Sequence, residues 1–393
     1  MRPPLALVLA SLLASGLAPP ASAAPAPAGP AERLVAHTSW TSGGQLRAGE
    51  RAGVKIGQGS VRLRKPTVRR TYRGRSYESG SWTSAWVQPG FALTELIPSW
   101  QATTPGRSWV EVKARVRSGS AVSSWDVMGR WTSGEAIART SAGPQTDDLA
   151  RVSVDTLRTL AATGATGWQL KVTLLRAPGS RAAVSLDRIG AVASRLPVTD
   201  DVATSAPGPG VGTVLAVPSY SQMVHAGHSP QWGGGGEAWC SPTSVAMVLG
   251  FRGVPGPRVA GHADAVVDHT ARMTYDHGYD GTGNWAFNTA YAGRFVPEAF
   301  VTRLRSLREA EDHIAAGTPL VVSVAFGRGE LTGAPISSTA GHLLVIVGFT
   351  ASGDVVVNDP AAPSNASVRR TYRRGEFEDA WIPTSGGTAY VIR

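Results

Sequence analysis

The chain has 393 residues, with 46 Gly, 27 Pro, 12 Trp, one Cys and a formal net charge of +10. That length accommodates two domains with their own cores, and 42% hydrophobic against 17% charged residues excludes a disordered chain. A single Cys excludes an intramolecular disulfide framework and any Cys-rich zinc site, and beyond the first 25 residues no apolar stretch is long enough to cross a bilayer.

Residues 1–23 are expected to be a secretory signal peptide. Arg2 gives the positive start, Leu5 to Ala18 the apolar core, and Ala21-Ser22-Ala23 the cleavage pattern. The mature chain is then expected to be secreted and extracellular, without stable membrane insertion. A Pro/Ala linker follows at 24–31. Charge is uneven: residues 24–200 hold 24 Lys+Arg against 12 Asp+Glu, and residues 201–393 hold 13 against 16. The basic half suits contact with anionic cell-wall polymers or polysaccharide. A solvated Arg-rich surface accounts for it equally well. No nucleic-acid motif is present, and no nucleic-acid partner is expected.

Residues 32–196 carry eight of the twelve Trp and read as a β module. In Trp109–Arg117, Val110, Val112, Ala114 and Val116 alternate with Glu111, Lys113, Arg115 and Arg117, the pattern of a half-buried strand. Trp168–Leu174 alternates in the same way. Turn-rich Gly/Ser/Pro clusters separate the runs, and helical periodicity is scarce. An all-β, jelly-roll-like sandwich is the expected fold. Exposed Trp can stack on sugars, but core filling is the expectation for most of Trp82, Trp86, Trp100, Trp109, Trp125, Trp131 and Trp168.

A second linker, rich in Pro and Gly, spans 197–212 and places a domain boundary near residue 200. Residues 213–393 carry the chemistry. Gly233–Gly236 permit unusual backbone angles and close approach of another segment. Pro242 suits a first helical turn. Val245, Val248 and Leu249 supply an apolar helical face, and Gly250 reads as the helix stop. Cys240 then sits at a helix N-terminus, where orphan N–H groups favour a thiolate. A small buried apolar role is the alternative. The Gly-rich approach and the helix start favour a nucleophile.

A thiolate nucleophile needs a base, and the base an orienting group. His342 opens the apolar strand His342–Phe349, Thr350–Gly353 is a turn, and Asp354–Asp359 returns. With Phe349 opposite Asp354, Asp359 lies opposite Leu344 and diagonal to His342, roughly 7–8 Å away by backbone and within side-chain reach. A one-residue slip would put Asp359 on the wrong face.

The stretches Val217–Gln222, Glu237–Ser244, Gly341–Gly348 and Val357–Pro360 occur in that order. Gln222 stands 18 residues before Cys240, His342 stands 102 after it, and Asp359 stands 17 after His342. In these pieces residues 213–393 resemble the papain-like cysteine peptidases of the bacteriocin-processing, double-glycine-leader type, in stand-alone form. The resemblance implies a papain-like α+β domain acting on a peptide or protein substrate. It implies that Cys240 is the nucleophile, His342 the base and then acid, Asp359 the orienting group and Gln222 the oxyanion donor. Leu96–Ala102 and Gly129-Arg130-Trp131 resemble the β module that precedes such peptidases in secreted actinobacterial-type proteins.

Trp239, Asn284 and Trp285 are the candidate substrate-binding residues, though Trp285 and Phe287 serve equally well as core. No cofactor or metal is expected. Asp276, His277, Asp280 and Asn284 share a Gly-rich run that reads as turns, and His225 and His228 have no assigned role. Ser306 and Glu309 read as a capping box opening a helix that ends at Gly317, with a buried strand from Thr318 to Phe326. Arg-Arg-Thr-Tyr-Arg occurs at 69–73 and 369–373 without matching surroundings. The functional expectation is a secreted cysteine peptidase. The rival readings are a cell-wall amidase or endopeptidase cutting peptidoglycan stem peptides, a non-catalytic binding protein on the same fold, and an enzyme kept latent by its first domain.

Overall fold

The computed structural model describes residues 32–66, 68–146, 148–198, 202–257, 259, 262 and 264–393. The expected signal peptide and first linker lie outside them. Alternating sequence becomes paired strand throughout the first half. One antiparallel sheet runs in the order Asp126–Trp131, Ser108–Ser118, Gly167–Arg176, Arg75–Thr83, Glu50–Ala52. A second is centred on Glu95–Thr103 and Ser185–Arg195. Their facing residues form one core, in which Val110, Val112 and Leu170 meet Leu96, Trp100 and Ile189. Trp82, Trp100, Trp109, Trp131 and Trp168 are buried. Trp86 and Trp125 are half-buried, and the Arg115 guanidinium packs on both, 5.1 and 4.4 Å from the ring centroids.

The Pro/Gly segment after the first half is fastened rather than free. The Ser205 N–H donates to Glu378, and the Gly208 N–H donates to Glu311 at 2.6 Å. Arg374 pairs with Glu311 at 2.7 Å and donates to the Ser205 carbonyl. Glu311 and Glu378 are fully buried, so the segment's backbone donors help satisfy two interior carboxylates.

The second half is built on a six-stranded antiparallel sheet, ordered Ala299–Arg303, Thr388–Ile392, Leu320–Phe326, Thr339–Phe349, Val355–Asn358, Arg369–Tyr372. Both faces are covered. Leu343, Val345 and Val347 pack with Val245 and Val248 of the helix Cys240–Phe251, while Leu344 and Ile346 pack with the helices Leu307–Ala315 and Arg374–Ser385. The chain as a whole is mostly β.

Three local expectations are corrected. The helix Cys240–Phe251 buries every residue from Ser241 to Leu249, because other elements surround it, so it has no single apolar face. Gly250 lies inside its last turn, where a Cβ would stand 2.9 Å from Pro218. The stop is Gly253, at φ +74°, whose N–H bonds Gly250 while the Val254 N–H bonds Leu249. At Ser306 no capping box forms. The Leu307 N–H goes instead to Glu378, and Glu309 turns back to Arg305. That helix does end at Gly317, in the left-handed region.

The two halves are interlocked. Phe287 and Ala290, from the helix Trp285–Ala292, are members of the first half's core, and Ile97 and Val192 join the second half's. Arg303 pairs with Glu95 across the junction, and Arg188 with Glu298.

The Glu311 cluster gives a direct test. Glu311→Ala leaves the Arg374 guanidinium buried without its carboxylate, and is predicted to cost about 3–5 kcal/mol in urea unfolding. Glu309→Ala, which removes an exposed pair with Arg305 and an exposed hydrogen bond from the Arg305 N–H, is predicted to cost under about 1 kcal/mol.

Candidate active site

Cys240 is the first residue of its helix and is half-buried at the floor of a cleft of about 740 Å³. The glycines before it are needed for backbone reasons. Gly233, Gly234 and Gly235 have φ between +81° and +96°, a region that other residues rarely adopt. A Cβ on Gly236 would stand 2.3 Å from the His225 carbonyl. This approach brings the turn Gln222–His225 against the start of the Cys240 helix. The first helical N–H bonded back along the chain is that of Thr243, to Trp239. The Ser241 N–H precedes it and is directed to the Cys240 thiol.

His342 and Asp359 meet through the sheet register. Val345 lies opposite Asn358, so Asp359 falls opposite Leu344, diagonal to His342. At the turn the register differs from expectation, with Phe349 opposite Val355 and a shift between Ile346 and Gly348. The cause is the segment 213–215. Its Leu215 N–H takes the Val347 carbonyl, and its Thr213 carbonyl accepts from Phe349. A Cβ on Gly348 would stand 2.2 Å from that Thr213 carbonyl, so glycine admits the segment and the strand bulges beside it.

The His342 Nε2 is 2.8 Å from Asp359 Oδ1. Its other ring nitrogen, Nδ1, is therefore the one available to the Cys240 thiol. Asp359 is buried and accepts twice more, from the Ala361 N–H at 3.0 Å and the Tyr372 hydroxyl at 2.8 Å. Burial alone would push the Asp359 carboxyl up, but His342 and these donors hold it below its usual value. Burial opposes the His342 imidazolium too, yet Asp359 and the Cys240 thiolate raise its pKa to about 10. Burial would likewise raise the Cys240 thiol. His342, with the Leu343 and Ser241 N–H groups, outweighs it and lowers the pKa. All three shifts run toward the charged forms: thiolate, imidazolium and carboxylate.

Gln222 is buried beside this group. Its Nε2 donates to the Glu237 carbonyl at 2.6 Å, which fixes the amide orientation and leaves a second N–H on the same atom. Its own backbone N–H bonds the Pro360 carbonyl, next to Asp359. Trp285 lines the cleft, together with Tyr279 and Thr282. Glu95, Arg158 and Leu196 of the first half line its far part.

Two candidate substrate-binding residues lie elsewhere. The Trp239 ring is fully buried and donates to the Trp232 carbonyl at 2.7 Å, packing on Ala246 and Val267 behind the cleft. Asn284 is also fully buried. Its side chain caps the helix Trp285–Ala292 through the Phe287 N–H and donates to Asp276. Both point inward because the backbone at each is committed to starting a helix. Asp276 accepts from the Ser141, Gly278 and Tyr279 N–H groups as well, so this run is a hydrogen-bonded turn. The Trp285 N–H is taken by Asp155 of the first half at 2.6 Å. Burial pushes that carboxyl up to about 6.

Sequence reasoning missed Tyr372. Its one visible signal was Arg369–Arg373, a repeat with no matching context. The strand Arg369–Tyr372 pairs with Val355–Asn358, and only that pairing brings the hydroxyl to Asp359.

Comparison with known proteins places both halves. Residues 36–194 match the model of the peptidase C39 N-terminal domain. Residues 214–389 match the peptidase C39-like family. A solved structure from Bacillus anthracis, described as a C39-like peptidase, is 17% identical; the match covers 46% of this chain and 97% of that one, with a TM-score of 0.31. No curated protein matches the chain. The first half of this chain is thus a peptidase C39 N-terminal domain, and its second half belongs to the peptidase C39-like family.

Proposed function

We propose that the chain is a secreted cysteine peptidase with a papain-like catalytic domain behind a jelly-roll-like β module. In this reading Cys240, His342 and Asp359 perform the chemistry and Gln222 assists it. The observation that carries the reading is the thiol–imidazole–carboxylate line opening into the cleft. The Cys240 thiolate attacks the substrate carbonyl carbon, and the carbonyl electrons move onto oxygen. The Cys240 N–H and the free Gln222 Nε2–H stabilise that oxyanion. Collapse breaks the C–N bond, and His342 gives its Nδ1 proton to the departing amine. The neutral imidazole then takes a proton from water, hydroxide attacks the thioester, and the thiolate leaves. Asp359 holds the imidazole in the tautomer that faces the thiol, and Tyr372 holds Asp359.

Secretion rests on the sequence of residues 1–23. One surface observation favours a cell-wall substrate as second reading. Arg70, Lys113, Arg115 and Lys171 crowd together enough that burial and this neighbouring charge lower the Lys171 pKa. Trp86 and Trp125 lie among them. Such a face suits an anionic polymer, and it would hold the cleft near stem peptides.

Assays on an unfolded protein and on purified cell wall separate the two readings. New amino termini are predicted from the protein substrate, and Cys240→Ala is predicted to abolish them. Gln222→Ala is predicted to lower kcat about 10²–10³-fold, the usual effect of losing one oxyanion donor. Activity confined to cell wall would favour the second reading, and undiminished cleavage by Cys240→Ala would sink both.

The pH profile supplies a further test. The active pair is lost at low pH when the thiolate is protonated and at high pH when His342 loses its proton, near 10. Asp359→Asn removes the charge that raises the His342 pKa. The alkaline limb of kcat/KM is predicted to move to lower pH. An alkaline limb unmoved by Asp359→Asn would contradict the assigned orienting role.

A further inference from the structure

His225 and His228 lie three residues apart on consecutive turns, with their rings 5.4 Å apart and nearly perpendicular. Both face one carboxylate, that of Asp268 on the helix Ala265–Thr274. The His225 Nδ1 is 2.7 Å from Asp268 Oδ2, and the His228 Nδ1 is 3.1 Å from Oδ1. The three side chains offer ligand atoms that all lie within 4.8 Å of one another. Among the described residues no side-chain hydrogen bond joins them to Cys240, His342 or Asp359.

We infer that His225, His228 and Asp268 form a binding site for a divalent transition-metal ion of the zinc class, outside the catalytic cleft. Two imidazoles and a carboxylate are the donor set that zinc favours over magnesium or calcium. Ligand atoms around a zinc ion lie about 3.0–3.4 Å apart, for bonds near 2.0–2.1 Å. The His228–Asp268 contact already has that spacing. The His225–Asp268 contact needs to open by a few tenths of an ångström.

His225 is fully buried. Its Nε2 has no hydrogen-bond partner among the described residues. On one side Asp268 lines a cavity of about 440 Å³, together with His262 and Trp232. His262 is exposed, with its ring 5.8 Å from that of His228, near enough to supply a fourth ligand after a side-chain rotation.

The site would matter to the cleft because His225 ends the same turn that begins with Gln222. An ion there would tie that turn to the helix Ala265–Thr274.

The test uses Cys240→Ser in the full chain, since the thiol is itself a zinc ligand. After removal of metal with a chelator, zinc alone is titrated by calorimetry, and cobalt is titrated by visible absorption. One ion per chain is expected, with cobalt d–d bands and no thiolate charge-transfer band. His228→Gln, a change at a partly exposed side chain, is expected to weaken binding at least about tenfold, as losses around metal sites typically do. Asp268→Asn is expected to weaken it further. Failure of the Cys240→Ser chain to bind either ion would overturn the inference. So would binding of unchanged affinity in both His228→Gln and Asp268→Asn.

Discussion

Asp359 is a buried carboxylate, and keeping its charge in the interior requires donors on both oxygens. Each donor comes from a different element. His342 arrives from the neighbouring strand, the Ala361 N–H from the loop that follows, and Tyr372 from the strand beyond. Meeting that demand aligns the His342 ring, and the aligned ring presents its second nitrogen to Cys240. The same loop receives the Gln222 backbone N–H at Pro360, so the amide that faces the cleft is positioned from the Asp359 side as well. The site is therefore one connected set of hydrogen bonds, with the Cys240 thiol at its open end.

The first half is part of this machinery rather than a tethered companion. Phe287 leaves the Trp285–Ala292 helix to fill the first half's core, and Asp155 returns to take the Trp285 N–H. Trp285 lines the cleft, so the first half fixes one of its walls and supplies Glu95 and Arg158 to another. A catalytic half cut free would expose Phe287 and leave the Trp285 N–H without its carboxylate. This coupling speaks against a first domain that merely covers a complete enzyme.

Much of the site was legible because its signals are local. A Gly run ahead of Cys-Ser-Pro marks a close approach and a helix start, and both occur. A strand–turn–strand with His and Asp at fixed distance from the turn predicts their meeting. It does so here despite the bulge at Val347, since the expected pairing holds at the Asp359 end. What sequence could not show depends on distant partners. Tyr372 reaches Asp359 only through the strand order, and the bulge exists only because residues 213–215 add to the sheet. The fastening of the Pro/Gly segment depends on Glu311 and Glu378, about a hundred residues or more away. Trp239 and Asn284 misled because adjacency to the site in sequence says nothing of side-chain direction at a helix start.

The account stands on Cys240 being a thiolate held by His342. The most direct measurement is the rate of iodoacetamide alkylation against pH on the folded protein, where the single Cys gives an unambiguous signal. The account predicts reactivity that persists well below the free-thiol pKa of about 8.5, and that loses this low-pH limb in His342→Ala. A thiol that titrates like free Cys, or stays inert until the chain is denatured, would contradict it.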